Sequence, residues 1–157
     1  MSQAGAEPDR LSVLVVDGDR RVRAGLTRLM SAACRGWEVR ASAEPATAAA
    51  LVAEAAPQLA VVNIAEDQHA SLDLIRCMSS RGVAVVALCD MSGHGLAAAA
   101  CGAVTAVTKD SGADALLTAV RDVAERIERV AAEGQSSAMS ASTSQLSTSR
   151  VIPREIR

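Results

Sequence analysis

The sequence predicts an α/β domain, a doubly wound parallel sheet of five strands with helices on both faces. Three observations carry this prediction. Short apolar runs recur at residues 11–16, 57–64, 83–88 and 104–108, and runs of this length read as strands covered on both sides. Stretches with helical spacing of Ala, Leu and Val separate them. Isolated polar residues, Asp17, Asn63 and Lys109, fall at or just beyond the carboxyl ends of three runs, the edge of a parallel sheet where ligands and chemistry collect.

The first run ends in Asp17-Gly18-Asp19, and Asp19 is placed to cap the following helix by accepting from its free N–H groups. Val22, Leu26, Leu29, Met30 and Ala33 give that helix its apolar stripe, and Gly36 marks its exit. Trp37-Glu38-Val39-Arg40-Ala41 alternates as a half-buried strand. Ser42 and Pro45 open an Ala-rich helix that Pro57 ends. The strand closing on Asn63 leads through a loop, residues 65–71, into a short helix around Leu72, Leu74, Ile75 and Met78. After the fourth strand, Met91-Ser92-Gly93-His94-Gly95 reads as a flexible loop, and residues 96–101 as a short helix closed by Gly102.

The fifth strand gives way at Lys109-Asp110 to the longest helix, expected over residues 111–133, with Ser111 and Asp114 as a capping box. Leu116, Val120, Val123, Ile127 and Val130 follow at alternating steps of four and three, a heptad seam. Asp122–Arg126 and Glu125–Arg129 add i,i+4 pairs of roughly 0.2–0.5 kcal/mol each. The seam either only packs on the sheet or, where it overruns the sheet by about two turns, forms a dimer contact. Residues 134–150 are Ser-, Ala- and Thr-rich and read as a flexible linker, and residues 1–10 as a disordered terminus.

Composition bounds the function. A chain of 157 residues suits one domain, here residues 11–133, plus a tail. Small aliphatics and a single aromatic, Trp37, argue for close-packed helices on a sheet, and the formal charge of −2 gives no basic footprint for nucleic acid. The first ten residues lack the apolar core of a signal peptide, and no run is long enough to span a membrane, so a cytoplasmic location is expected. Cys34, Cys77, Cys89 and Cys101 are too widely spaced for a zinc site and read as buried thiols. No P-loop, G-x-G-x-x-G or nucleophile–base pair is present, so no catalytic residue, metal or cofactor is expected.

Taken together, Val13-Leu14-Val15-Val16-Asp17, Val22-Arg23-Ala24-Gly25-Leu26, Gly102-Ala103 and Lys109-Asp110 resemble the receiver domain of two-component response regulators, of the NarL/LuxR type. The resemblance covers residues 10–133 and implies a flavodoxin-like (βα)5 fold with strand order 2-1-3-4-5. It also implies a phosphorylation site: two acids after the first strand for Mg²⁺, an Asp ending the third, a Ser or Thr ending the fourth, a Lys ending the fifth and an aromatic on the fifth. Here Asp17 and Lys109 match, whereas Gly18 stands for the second acid, Asn63 for the phospho-acceptor, Ala87 for the hydroxyl and Ala106 for the aromatic.

The resemblance therefore implies a degenerate site. An amide is a poor nucleophile toward phosphorus, and phosphoryl transfer depends on the metal and its carboxylates. Asp19 and Glu66 are the remaining acids for a metal, with Asp19 better explained as a cap; Gly18 reads as a turn residue tolerating positive φ. Asn63 is expected as a neutral plug between Lys109 and Asp17, which would form a structural ion pair. His69 and His94, on loops, read as neither ligands nor pH sensors.

Val151-Ile152-Pro153-Arg154-Glu155 is similar to the phrase that opens the helix-turn-helix module of the same regulators. The module itself is absent, so residues 151–157 read as its truncated start. The expected function is a phosphorylation-independent atypical response regulator that homodimerises and controls DNA binding through that missing domain. Two alternatives stand: a small-molecule sensor entered near residues 91–95, where Ala87 and Ala106 leave space, and a stand-alone interaction module.

Overall fold

The computed structural model describes residues 10–90 and 92–146, with side chains described to Ser140 and excepting Ser92. Residues 1–9 of the terminus expected over residues 1–10, and the helix-turn-helix phrase, lie outside the described residues. In chain order the elements are β1 (Ser12–Val16), α1 (Arg20–Ala33), β2 (Glu38–Ser42), α2 (Pro45–Glu54), β3 (Leu59–Asn63) and α3 (Gln68–Ser80). They continue with β4 (Ala84–Cys89), α4 (Ser92–Ala100), β5 (Thr105–Thr108), a 3-10 turn (Lys109–Ser111) and α5 (Gly112–Leu146). The strands form one sheet in the order β2-β1-β3-β4-β5, with every pairing parallel, which is the flavodoxin-like arrangement.

Local chemistry accounts for the boundaries. The Asp19 carboxylate accepts from the N–H groups of Arg21 (2.8 Å) and Val22 (3.1 Å), satisfying two donors that the first turn of α1 leaves free. Pro45 sits in the first turn of α2, where its missing N–H has no partner to lose. Gly36 leaves α1 with φ +88°, and Gly102 leaves α4 with φ +108°, conformations that favour glycine.

Three local readings differ from what forms. The glycine-rich stretch from Ser92 to Gly95 is the first turn of α4, not a loop. Gly95 lets that helix approach β5, since a Cβ there would stand 3.2 Å from the Ala106 Cβ. The Ser111–Asp114 capping box does not open the last helix: the Ser111 hydroxyl lies 2.6 Å from that of Thr108, and α5 starts at Gly112 with φ +85°. Finally, α5 does not end at Glu133 but runs to Leu146. The Gln, Ser, Ala and Met residues that read as a linker contain no proline, and Ala, Gln and Met are good helix formers; Gly134 alone is a weak breaker.

Alternation along the strands divides the core in two. Leu14, Val16, Ala60, Val62, Ile64, Val85, Ala87 and Cys89 pack in one cluster with Ala48 and Val52 of α2, Leu74, Ile75 and Met78 of α3, and Ala98 of α4. The intervening residues, among them Val13, Val15, Leu59, Val61, Val86 and Leu88, face the opposite way and are also buried. Cys34, Cys89 and Cys101 are buried thiols as expected, whereas Cys77 is half-buried. Among the described residues no helix is long and apolar enough to cross a membrane.

The chain divides into two units, Met1–Ala124 and Glu125–Arg157. In the first, Leu116, Val120 and Val123 of α5 are buried. In the second, Ile127 is half-buried, and Val130 and Met139 are 67% and 74% exposed.

Candidate functional site

Strand register sets one row at the carboxyl edge of the sheet. Val16 pairs with Val62, so Asp17 and Asn63 follow at the same level on neighbouring strands, and Asn63 pairs with Leu88. Leu88 pairs with Val107, and Cys89 with Thr108, which brings Asp90 and Lys109 together one step further on.

Asp17 is 2% exposed. Its N–H donates to the Ser42 carbonyl (3.1 Å), and its carbonyl accepts from Arg23 Nη1 (2.8 Å). Oδ1 accepts from the Asp19 N–H at 2.8 Å, while Oδ2 is buried without a hydrogen-bond partner. Asn63 Oδ1 is likewise buried and unpartnered, and its carbonyl accepts from the Ser71 hydroxyl (3.3 Å). Two acceptors thus end adjacent strands without a donor, each a desolvation cost of about 1–3 kcal/mol.

The expected Asp17–Lys109 ion pair does not form. Lys109 Nζ instead meets Asp90 Oδ1 at 3.0 Å, in a pair whose side chains are 35% and 54% exposed. Asp90 directly follows β4 and leaves the ammonium near water, so the pair avoids the desolvation that drawing Lys109 over the buried Asp17 would require. Asn63 therefore does not accept from the ammonium, and the neutral plug between Lys109 and Asp17 is not what forms.

Ala87 does not end β4. It is fully buried in the cluster under α2, α3 and α4, and the strand runs on to Cys89. The thiol of Cys89 occupies the strand end and lies 3.6 Å from the Val107 carbonyl. Burial first, then the Asp90 carboxylate, pushes this thiol up from its ordinary value, against an opposing effect of Lys109. Nor do Ala87 and Ala106 leave an entrance: the first is enclosed, and the second lies against Gly95 of α4.

Gly18 has no positive φ, and a Cβ there would meet only the Ala43 carbonyl, at 3.8 Å. A side chain would fit, so turn geometry does not explain the glycine. Asp19 is engaged as the cap of α1, and Glu66 and His69 are exposed. His94 is half-buried on α4, its Nδ1 unpartnered. Among the described residues no group of three His, Cys, Asp or Glu is placed to hold a metal ion. The donor set does not fit Mg²⁺, which needs several hard oxygens in octahedral array: one carboxylate oxygen and one amide oxygen are free.

On the same sheet face as Asn63, Leu88 forms the floor of an open cleft of about 260 Å³. Val22, Leu26 and Leu29 of α1 line one wall, and Thr108, Lys109, Gly112, Ala113 and Leu116 the other. No short-range pattern marks this cleft, because its walls come from opposite ends of the domain.

Solved structures that superpose on this chain include receiver domains. The signal receiver domain of a DNA-binding response regulator from Colwellia psychrerythraea 34H superposes with a TM-score of 0.65 at 16% identity, over 73% of this chain and 98% of that one. A LuxR-family DNA-binding response regulator structure from Staphylococcus aureus gives 0.65 at 15%, over 72% and 98%. The fold is that of a response-regulator receiver domain. NtrX from Brucella abortus aligns with a TM-score of 0.70 at 20% identity over 80% of this chain, which spans 29% of the length of NtrX. No protein-family profile matches the receiver-like chain, and no curated protein does.

Proposed function

We propose that this receiver-fold chain is an atypical, non-enzymatic response-regulator module that works without aspartyl phosphorylation. The observation that carries this reading is the row at the sheet edge: Asn63 ends β3, Gly18 follows Asp17, and Lys109 is held by Asp90. A carboxylamide cannot form an acyl phosphate under these conditions, and a single buried carboxylate does not hold the metal that phosphoryl transfer needs. The receiver neighbours are parts of regulators, not of enzymes with their own substrates, which supports the same reading.

The module homodimerises through α5 and controls a carboxyl-terminal DNA-binding domain, with two-fold symmetry matching paired half-sites. Support comes from the heptad seam, of which Leu116, Val120 and Val123 are buried while Val130 stays 67% exposed, an apolar position suited to a second copy. The similarity of Val151-Ile152-Pro153-Arg154-Glu155 to a helix-turn-helix opening supplies the output.

Acetyl phosphate, or beryllofluoride with Mg²⁺, is expected to leave Trp37 fluorescence and the oligomer size unchanged. Asn63→Asp alone is expected to incorporate no phosphate, because Gly18 still leaves the metal site short of a carboxylate. Stoichiometric incorporation into that variant, or a shift in either readout, refutes the reading. Val130→Glu is expected to turn a dimer into a monomer in sedimentation.

A further inference from the structure

We infer that the cleft between α1 and the start of α5 binds a small apolar molecule carrying a protonated amine, with its ammonium at Asp17 and Asn63 and its apolar body over Leu88. The inference rests on the reading that this edge of the sheet no longer takes phosphate, and it names the signal that replaces it.

Two independent observations meet here. The first is the cleft itself, about 260 Å³, walled by Val22, Leu26, Leu29, Ala113 and Leu116. That is below the roughly 300–1,000 Å³ of drug-sized sites, so its occupant is small, and its lining favours hydrocarbon. Val22 is 41% exposed, although it stands on the helix face that otherwise turns toward the sheet. No side chain closes the space above Gly112, where an added Cβ would meet nothing within 4 Å.

The second is the pair of orphan acceptors. Asn63 is the register partner of Leu88, the cleft floor, and Asp17 stands one strand beyond, with neighbouring strands about 4.8 Å apart. Alternation places all three side chains on one sheet face. Asp17 is 2% exposed, and its Oδ2 and Asn63 Oδ1 have no donor. An ammonium supplies several N–H donors and a positive charge to that carboxylate, and a charge-assisted bond in such a setting is stronger than a neutral one. It asks for acceptors only, not the octahedral set of charged oxygens that Mg²⁺ requires.

Charge selects the amine over an anion. Lys109 lies on the cleft wall, but its ammonium is engaged by Asp90 at 3.0 Å, whereas the Asp17 carboxylate has one oxygen with no counterpart. Neither Asp17 nor Asn63 lines the cleft, and both acceptor atoms are buried, so reaching them requires the side chains between cleft and acceptors to move aside.

The test titrates the ¹⁵N-labelled full chain with n-hexylammonium, n-hexanol and hexanoate, following backbone amide shifts. Hexylammonium is expected to saturate shifts at Asn63, Leu88, Gly112 and Ala113, and to bind at least tenfold more tightly than the other two. Asp17→Asn is expected to weaken it at least tenfold and to erase its advantage over hexanol. Ala113→Phe, at an exposed position that should not disturb folding, is expected to block all three probes. No saturable shifts, hexanoate or hexanol binding as well as the amine, or binding indifferent to both substitutions each overturn the inference. The same titration with beryllofluoride and Mg²⁺ separates the two readings: shifts at Asn63 with that pair refute phosphate independence, whereas silence there and with hexylammonium refutes only the amine site.

Discussion

The two faces of the sheet are built to different standards. On one, Leu14, Val16, Val62, Ile64, Val85 and Ala87 lock with α2, α3 and α4 into a single apolar cluster that continues to the carboxyl edge, where Ile64 and Cys89 are still buried. On the other, the strands stay apolar through Val15, Val61 and Leu88, but Asp17 follows β1, Asn63 ends β3, and Leu88 floors an open cleft. The difference teaches where this domain keeps its stability and where it has room for a signal. Close packing makes one face intolerant of change, and the other carries groups whose energetic needs are unmet within the chain.

Truncation should expose the difference most. Ile75→Ala, on the closed face, is expected to lower unfolding free energy by about 2–5 kcal/mol, while Leu26→Ala, beside the cleft, costs well under half of that because its surroundings are half-open. Equal losses in urea denaturation would dissolve the distinction. Next in size is Gly102→Ala. Its φ of +108° disfavours any side chain, and the new Cβ would press on Ser79, with that residue's Cβ at 2.7 Å. A loss above about 1 kcal/mol is expected from the strain and the clash.

Asn63→Leu should act in the opposite direction. Replacing an unpartnered buried amide oxygen by hydrocarbon is expected to leave stability unchanged or raise it by about 1 kcal/mol. A clear loss in the same denaturation assay would mean that the amide is bonded and that the two faces are equally satisfied. Smallest is Asp90→Ala. It frees Lys109 from a pair that is about half-exposed, so a change within about 1 kcal/mol is expected, diminishing further with added salt.

Much of the fold was readable from residue order. The cap at Asp19, the proline opening α2 and the apolar runs are all local signals, and each appears where spacing put it. The positions of Asp17, Asn63 and Lys109 at strand ends are legible too, because a polar residue ending a buried strand interrupts the pattern. That β4 runs past Ala87 to Cys89 is not legible, because one apolar run offers no mark of its last paired residue; register with Thr108 supplies it. Ser92–Gly95 reads as a loop because glycine weakens a helix by propensity, whereas in the fold Gly95 is what allows α4 to lie on Ala106.

Residue order alone establishes an alternating β/α chain whose first and third apolar runs close on Asp17-Gly18 and Asn63, since both depend on residue type and short-range periodicity. Only the folded chain decides that Lys109 chooses Asp90 over Asp17, that two acceptors are buried without donors, and that α1 and α5 leave a cleft beside them. Those outcomes depend on competing desolvation costs and on distances between segments as far apart in the chain as Val22 and Leu116.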